Sequence, residues 1–341
     1  MDRPTRTATL SWAALAVLSG FMIVTQVRIN GQLGAAAGDG YAAAAWSFGS
    51  GLAVLAACLP LSRKARASAA AVVGAVRSGG LRPWQVLGGL GGAFLVLSQS
   101  IAASVTGVAL FTIAVVAGQV AGGLAFDVAG LSPSGRRPVT TARALGALLV
   151  LTAAAISLAG RADTDLPPWL LVLPLVAGVC VSWQQGVNGH VRAVSSGYAA
   201  TLINFVTGTT ALFAALAVHA LAGGLNVRWP GNPLLYTGGV VGIGFIAIAV
   251  LAVRHLGVLI LGLCTITGQL AGAIVLDLAL GPAVTAATVA GAAVALAGVA
   301  VASRGNLRRV RRNRRHRLGD AAPQLRHRRE HPRPAEGRGE G

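Results

Sequence analysis

The chain has 341 residues, 54% hydrophobic and 11% charged, with a mean hydropathy of +0.68 and a formal net charge of +18. So much apolar surface with so little charge excludes an ordinary soluble domain, and the apolar residues fall into runs of about 20, the length a bilayer core demands of a helix. The charge is uneven: from Arg304 onward 13 arginines stand against 4 acidic residues, while the first 303 residues hold 15 basic and 6 acidic ones.

Arg3 and Arg6 precede the first apolar run, LSWAALAVLSGFMIVT, which ends in QVRING. No small-x-small cleavage pattern follows it directly, so it reads as a retained first helix rather than a secretory signal. Apolar runs and breakers then predict spans at 10–33, 41–61, 84–104, 107–128 and 141–160. Five more follow at 168–190, 198–221, 233–253, 257–280 and 283–303. The connections are too short for a folded soluble domain. Residues 1–9 are a short N-terminal segment, and 304–341 read as a disordered basic tail.

Loop charges set the expected orientation. Basic residues gather at Arg3/Arg6, Arg63/Lys64/Arg66/Arg77/Arg82, Arg136/Arg137, His190/Arg192, Arg254/His255 and the tail. The alternate loops carry Asp39, Arg161 with Asp163 and Asp165, and a lone Arg228. The positive-inside rule puts both termini in the cytoplasm.

The chain also repeats itself. GFMIVTQVRING matches GVCVSWQQGVNG, pairing Gly20/Gly178, Gln26/Gln184, Asn30/Asn188 and Gly31/Gly189. GYAAAAWSFGSG matches GYAATLINFVTG, pairing Tyr41/Tyr198, Phe48/Phe205 and Gly51/Gly208. RPWQVLGGLGG echoes NPLLYTGGVVG, and GQVAGGLAFD echoes GQLAGAIVLD with Gly118/Gly268, Gln119/Gln269, Gly122/Gly272 and Asp127/Asp277. Each half, 10–160 and 161–303, holds five spans. Five is odd, so the second half enters the membrane inverted. The expected fold is an all-α membrane protein of ten transmembrane helices in two inverted five-helix repeats, an architecture of secondary carriers that bind near mid-depth.

These residues carry a resemblance. Ten spans in two halves, the paired Q-x3-N-G, the following aromatic-glycine span and the G-Q-x2-G-x4-D helix resemble the YdcZ-like subgroup of the drug/metabolite transporter (DMT) superfamily, an EamA-like inverted-repeat group. The resemblance spans residues 10–303. It implies a bacterial inner-membrane protein with a transport role, without naming a substrate.

Gln26 and Asn30 are four apart and share a helical face, as do Gln184 and Asn188. Asn30-Gly31 and Asn188-Gly189 read first as C-cap signals, because both residue types tolerate the left-handed conformation, and otherwise as cavity lining. Gln26 and Gln184, deeper in their spans, read first as cavity lining and otherwise as interhelical glue. Gly118-x3-Gly122 and Gly268-x3-Gly272 read as helix-packing motifs, with Gln119 and Gln269 beside them either bonding across the contact or facing a substrate. Trp183, next to Gln184, could wall a substrate site.

Asp127 and Asp277 are the only acids within predicted spans; they read as helix-end anchors or as coupling or gating groups. Arg28 is expected to pair with Asp277, since an unpaired charge at that depth is disfavoured; snorkelling outward or holding an anionic group are its alternatives. Cys58, Cys180 and Cys264 have no CxxC partner and read as small buried hydrophobes, not as a metal site.

Without HExxH, GxSxG, a Walker loop or GxGxxG, the expectation is no enzyme and no cofactor. The leading reading is a secondary transporter of a small polar metabolite or drug-like solute by alternating access. The alternative is a non-transporting membrane scaffold whose basic tail recruits a partner or anionic lipid. The bilayer and a small-molecule substrate are the partners expected; nucleic acid is disfavoured for the tail, and a homodimer is left open.

Overall fold

The computed structural model describes residues 6–131, 135–136, 138–159, 167–280 and 284–301. The tail 304–341 and the Asp163/Asp165 loop lie outside them. The described residues form helices α1 (Arg6–Ala37), α2 (Gly40–Leu61), α3 (Arg63–Arg77), α4 (Gly89–Thr106), α5 (Val108–Ala129), α6 (Thr141–Ala159), α7 (Pro168–Val194), α8 (Gly197–Leu221), α9 (Gly238–Leu280) and α10 (Ala286–Val301). Two 3-10 turns, Pro83–Val86 and Pro233–Tyr236, precede α4 and α9 at repeat-related positions. The fold is all-helical, with eight helical segments long and apolar enough to cross a membrane and two shorter apolar ones, Gly238–Ile248 and Ala286–Val301.

Local chemistry sets the boundaries. Asp39 starts α2 by accepting the Ala42 amide at 2.9 Å, and Ser196 starts α8 by accepting that of Ala199 at 3.2 Å. Between α4 and α5 the chain breaks at Gly107, and α5 ends at Gly130; both glycines have positive φ, which costs an L side chain dearly.

Two helices differ from the sequence expectation. The basic stretch after α2 is not a loop: Arg63–Arg77 form α3, which buries Ala65, packs Val72 against Val191 of α7 and Ala199 and Ala200 of α8, and leaves Arg63, Lys64, Arg66 and Arg77 exposed. In α9, a straight 43-residue helix would be ~65 Å long at the usual rise per residue. Yet Gly238 packs against Asn30, and the Leu280 carbonyl accepts from Arg28, two residues away on α1. The two ends of α9 therefore lie together, and the chain folds back between its arms 238–248 and 260–280. Arm 238–248 runs antiparallel to α1 and arm 260–280 parallel to it.

Lipid tails are as apolar as leucine, so helices in a bilayer hold together by close packing and buried polar bonds. Glycines supply the packing. A β-carbon at Gly20 would overlap the Thr265 carbonyl, and one at Gly268 that of Val17; Gly178 and Gly118 repeat this relation with Val115 and Leu175. Gly122 and Gly272 complete the two small-x3-small contacts, against Val179 and against Phe21 with Val24. α1 thus packs on α9 as α7 packs on α5.

The cysteine expectation is corrected in part. Cys180 and Cys264 are half-buried, but Cys58 is exposed on α2. Apolar side chains need no protein cover where acyl chains supply it.

Candidate functional site

Four of the polar residues singled out in the sequence, Gln26, Asn30, Gln184 and Asn188, lie on the two flanks of the contact between α2 and α8. α2 and α8 cross with Phe48 and Phe205 in ring contact, centroids 4.9 Å apart. Each ring lies over the glycine that is its partner's neighbour: Phe205 fills the space beside Gly51, and Phe48 that beside Gly208. On one flank, Gln184 Nε2 donates to Asn204 Oδ1 at 2.8 Å and Asn188 Nδ2 donates to the same oxygen at 3.1 Å. Both α7 side chains sit in the glycine notch of α4: a β-carbon at Gly92 would lie 2.9 Å from Gln184 Nε2, 3.0 Å from Phe48 and 3.4 Å from Asn204 Nδ2.

The other flank has the same plan. Gln26 faces Gly242 of α9, its Nε2 2.6 Å from where a β-carbon would be, and Asn30 faces Gly238. Asn30 Nδ2 donates to Gln99 Oε1 of α4 at 2.7 Å. Ser47, at the repeat position of Asn204, also abuts Gly238. Asn30 Oδ1 and Ser47 Oγ are buried there without a hydrogen-bond partner. An unsatisfied buried polar atom costs ~1–3 kcal/mol, so these two atoms concentrate unmet hydrogen-bonding capacity at one spot.

The cap reading of the asparagines is overturned. α1 continues to Ala37 and α7 to Val194, so Asn30-Gly31 and Asn188-Gly189 lie inside helices, and neither glycine has positive φ. Gly31 serves approach instead: a β-carbon there would lie 2.9 Å from that of Ala103 on α4.

The expected Arg28–Asp277 pair does not form. Asp277 reaches across from α9 to accept the amides of Val108 at 3.0 Å and Ala109 at 2.7 Å, capping α5, and Arg28 takes the Leu280 carbonyl. A carboxylate at a helix N-terminus meets both unpaired amides and the positive end of the helix dipole, which satisfies it without a cation. Both residues line one cavity of about 160 Å³ with Gln32 and Ser104. Asp127 is an ion-paired anchor, its Oδ2 2.5 Å from Arg143 of α6.

Gln119 and Gln269 stay apart from the two flanks. Gln119 is half-buried and its backbone carbonyl accepts the Ser182 hydroxyl at 2.6 Å; Gln269 is buried at the Gly20 contact. Neither carboxamide makes a hydrogen bond among the described residues. Trp183 is half-buried on α7.

The family model described as "Putative inner membrane exporter, YdcZ", of the DMT superfamily, matches residues 11–156 and 169–301. The chain belongs to this family. The two matched segments coincide with the two halves of the internal repeat. No curated protein matches the chain. As a member it is a multi-pass protein of the cell inner membrane and a membrane transporter, consistent with its many apolar helices.

Sequence reasoning missed Asn204, Gln99 and Ser47. Asn204 was legible in principle, as the polar residue just before Phe205 in GYAATLINFVTG, aligned with Ser47 before Phe48. Gln99, in LVLSQS, has no polar counterpart in the other half, and only its contact with Asn30 assigns it a role.

Proposed function

We propose that the chain exports a small polar or zwitterionic solute by alternating access, between two inverted five-helix repeats that cross the membrane ten times with both termini in the cytoplasm. The observation that carries this reading is the pair of carboxamide sets, Gln26/Asn30 and Gln184/Asn188, held in matching glycine notches on either side of the Phe48–Phe205 contact. A neutral amide both donates and accepts, so it can hold a polar solute without the desolvation cost of a buried charge. Repeat-related sites on the two flanks would serve in turn as access alternates.

In this reading Gln26, Asn30, Gln184 and Asn188, with Ser47, Gln99 and Asn204, contact the solute. Trp183, Gln119 and Gln269 border its path, and Arg28 attracts an anionic group at the cavity beside Asp277. Asp277 and Asp127 hold the ends of helices that must part, one at each end of the bundle. The basic tail contacts anionic lipid of the cytoplasmic leaflet.

The test is a single cysteine at position 26 or 184 in a chain whose three native cysteines are replaced, reconstituted in liposomes. A water-soluble thiol reagent is expected to label both positions, and a transported solute to protect both. Failure to label either, together with no solute flux, would leave the carboxamides as interhelical glue and favour a scaffold.

A further inference from the structure

Away from the carboxamides, one end of the bundle carries a titratable pair that the transport reading does not use. Asp39, at the α1–α2 junction, has a side chain only 1% exposed. Its Oδ1 caps α2, while its Oδ2 is buried with no hydrogen bond, 3.3 Å from His219 Nε2 at the end of α8. The His219 ring stacks on Tyr41, centroids 4.5 Å apart and planes 17° from parallel. The loop after α8 folds over the pair: Gly224 packs on the imidazole, and the Arg228 amide donates to the Ala37 carbonyl at 3.0 Å. The contact joins the first half of the chain to the second.

We propose that Asp39 and His219 are a proton-binding latch that closes this end of the bundle. Imidazole is the side chain whose charge ordinarily changes between about pH 5 and 8. A proton taken from water forms an N–H bond on the imidazole; the imidazolium then donates Nε2–H to Asp39 Oδ2 and pairs with its charge. Losing that proton leaves a neutral imidazole that can keep the ring stack and one N–H but no longer offsets the charge of the buried carboxylate, which weakens the closed contact. The sign follows: closure is strongest at low pH and loosens as pH rises. His219 is the group that exchanges protons, because its side chain is 28% exposed and that of Asp39 is sealed. Among the described residues, the titratable group in contact with the pair is Tyr41 of α2; Arg228, in the loop after α8, meets this end through its backbone amide and is itself exposed.

The latch is one-sided. The repeat counterpart of Asp39 is Ser196, which caps α8 in the same way but carries no charge. The counterpart of Tyr41 is Tyr198, whose hydroxyl donates to the Leu55 carbonyl at 2.7 Å instead of meeting an imidazole. This latch is therefore present at one end only, the end that loop charges place outside. Coupling of this latch to solute export rests on the alternating-access reading; the latch itself does not.

Spin labels at Ala36→Cys and Leu225→Cys, both exposed, in the reconstituted full chain without native cysteines, read the distance across the latch. One short population is expected at about pH 5.5, with a longer one appearing at about pH 8. His219→Gln and Asp39→Asn should abolish that change; the second keeps the α2 cap, since asparagine caps as well as aspartate. Identical distributions at both pH values in the parent chain, or an undiminished response in both variants, would overturn the latch. A pH-dependent distance without solute flux would keep the latch and sink the transport reading; flux with a pH-independent distance would do the reverse.

Discussion

Arg28 and Asp277 line the same cavity, yet each is satisfied by backbone: the carboxylate by the Val108 and Ala109 amides, the guanidinium by the Leu280 carbonyl. Depth alone suggested an ion pair. The start of α5 offers two amides at once, and the carboxylate takes them. Arg28→Gln and Asp277→Asn should therefore affect thermal stability additively, within about 0.5 kcal/mol. A double mutant that recovers what the singles lose would restore the ion pair as the operative contact. Asp277→Leu, which removes both acceptors, should cost about 1–2 kcal/mol as a lost cap.

Asn204 accepts from both Gln184 and Asn188, so one substitution removes both bonds. Asn204→Ala is expected to destabilise the detergent-solubilised protein by about 0.6–2 kcal/mol, the range of interhelical polar bonds in membranes. Adding Gln184→Ala should cost little more, because its bond is already gone. Full additivity in a double-mutant cycle would show that the carboxamide does not depend on Asn204.

Glycine contacts separate packing from mere helix composition. Gly118→Leu and Gly268→Leu place a side chain onto a neighbouring backbone carbonyl, and each should sharply reduce folded yield. Gly262 lies within α9 with nothing within 4 Å of a β-carbon. Gly262→Ala should be tolerated or raise stability by up to ~1 kcal/mol, from helix propensity. Equal behaviour of Gly262→Ala and the two leucine variants in size-exclusion yield would remove the close-packing account.

Orientation is testable by reporter fusion. Fusions after residues 75, 165 and 305 are expected to read cytoplasmic, external and cytoplasmic. A cytoplasmic reading at 165 would break the inverted arrangement and move the His219 latch to the other side of the membrane.

Much of the helix pattern was legible because the bilayer imposes a length on each apolar run and leaves glycine, proline and charge to mark the ends. Predicted 198–221 and observed Gly197–Leu221 differ by one residue, as do 107–128 and Val108–Ala129 at each end. The repeat was legible too, since Gln26/Gln184 and Gly118/Gly268 recur in register. α3 was not read as a helix because its arginines dominate a hydropathy reading, although Ala65 and Val72 follow helical spacing on its buried face.

Sequence by itself determined the chemical type of each contact: which glycines permit close approach, which carboxamides share a face, and which acids stand at helix ends. Only the tertiary structure decided the partners. An asparagine four residues after a glutamine has the same local pattern whether it ends a helix or packs inside one, and Gly238 opposite Asn30 settles that. Asp39 and His219 lie 180 residues apart and Asp277 and Val108 169 apart. No local periodicity joins such positions; the folding back of α9 and the crossing of α2 with α8 bring them together.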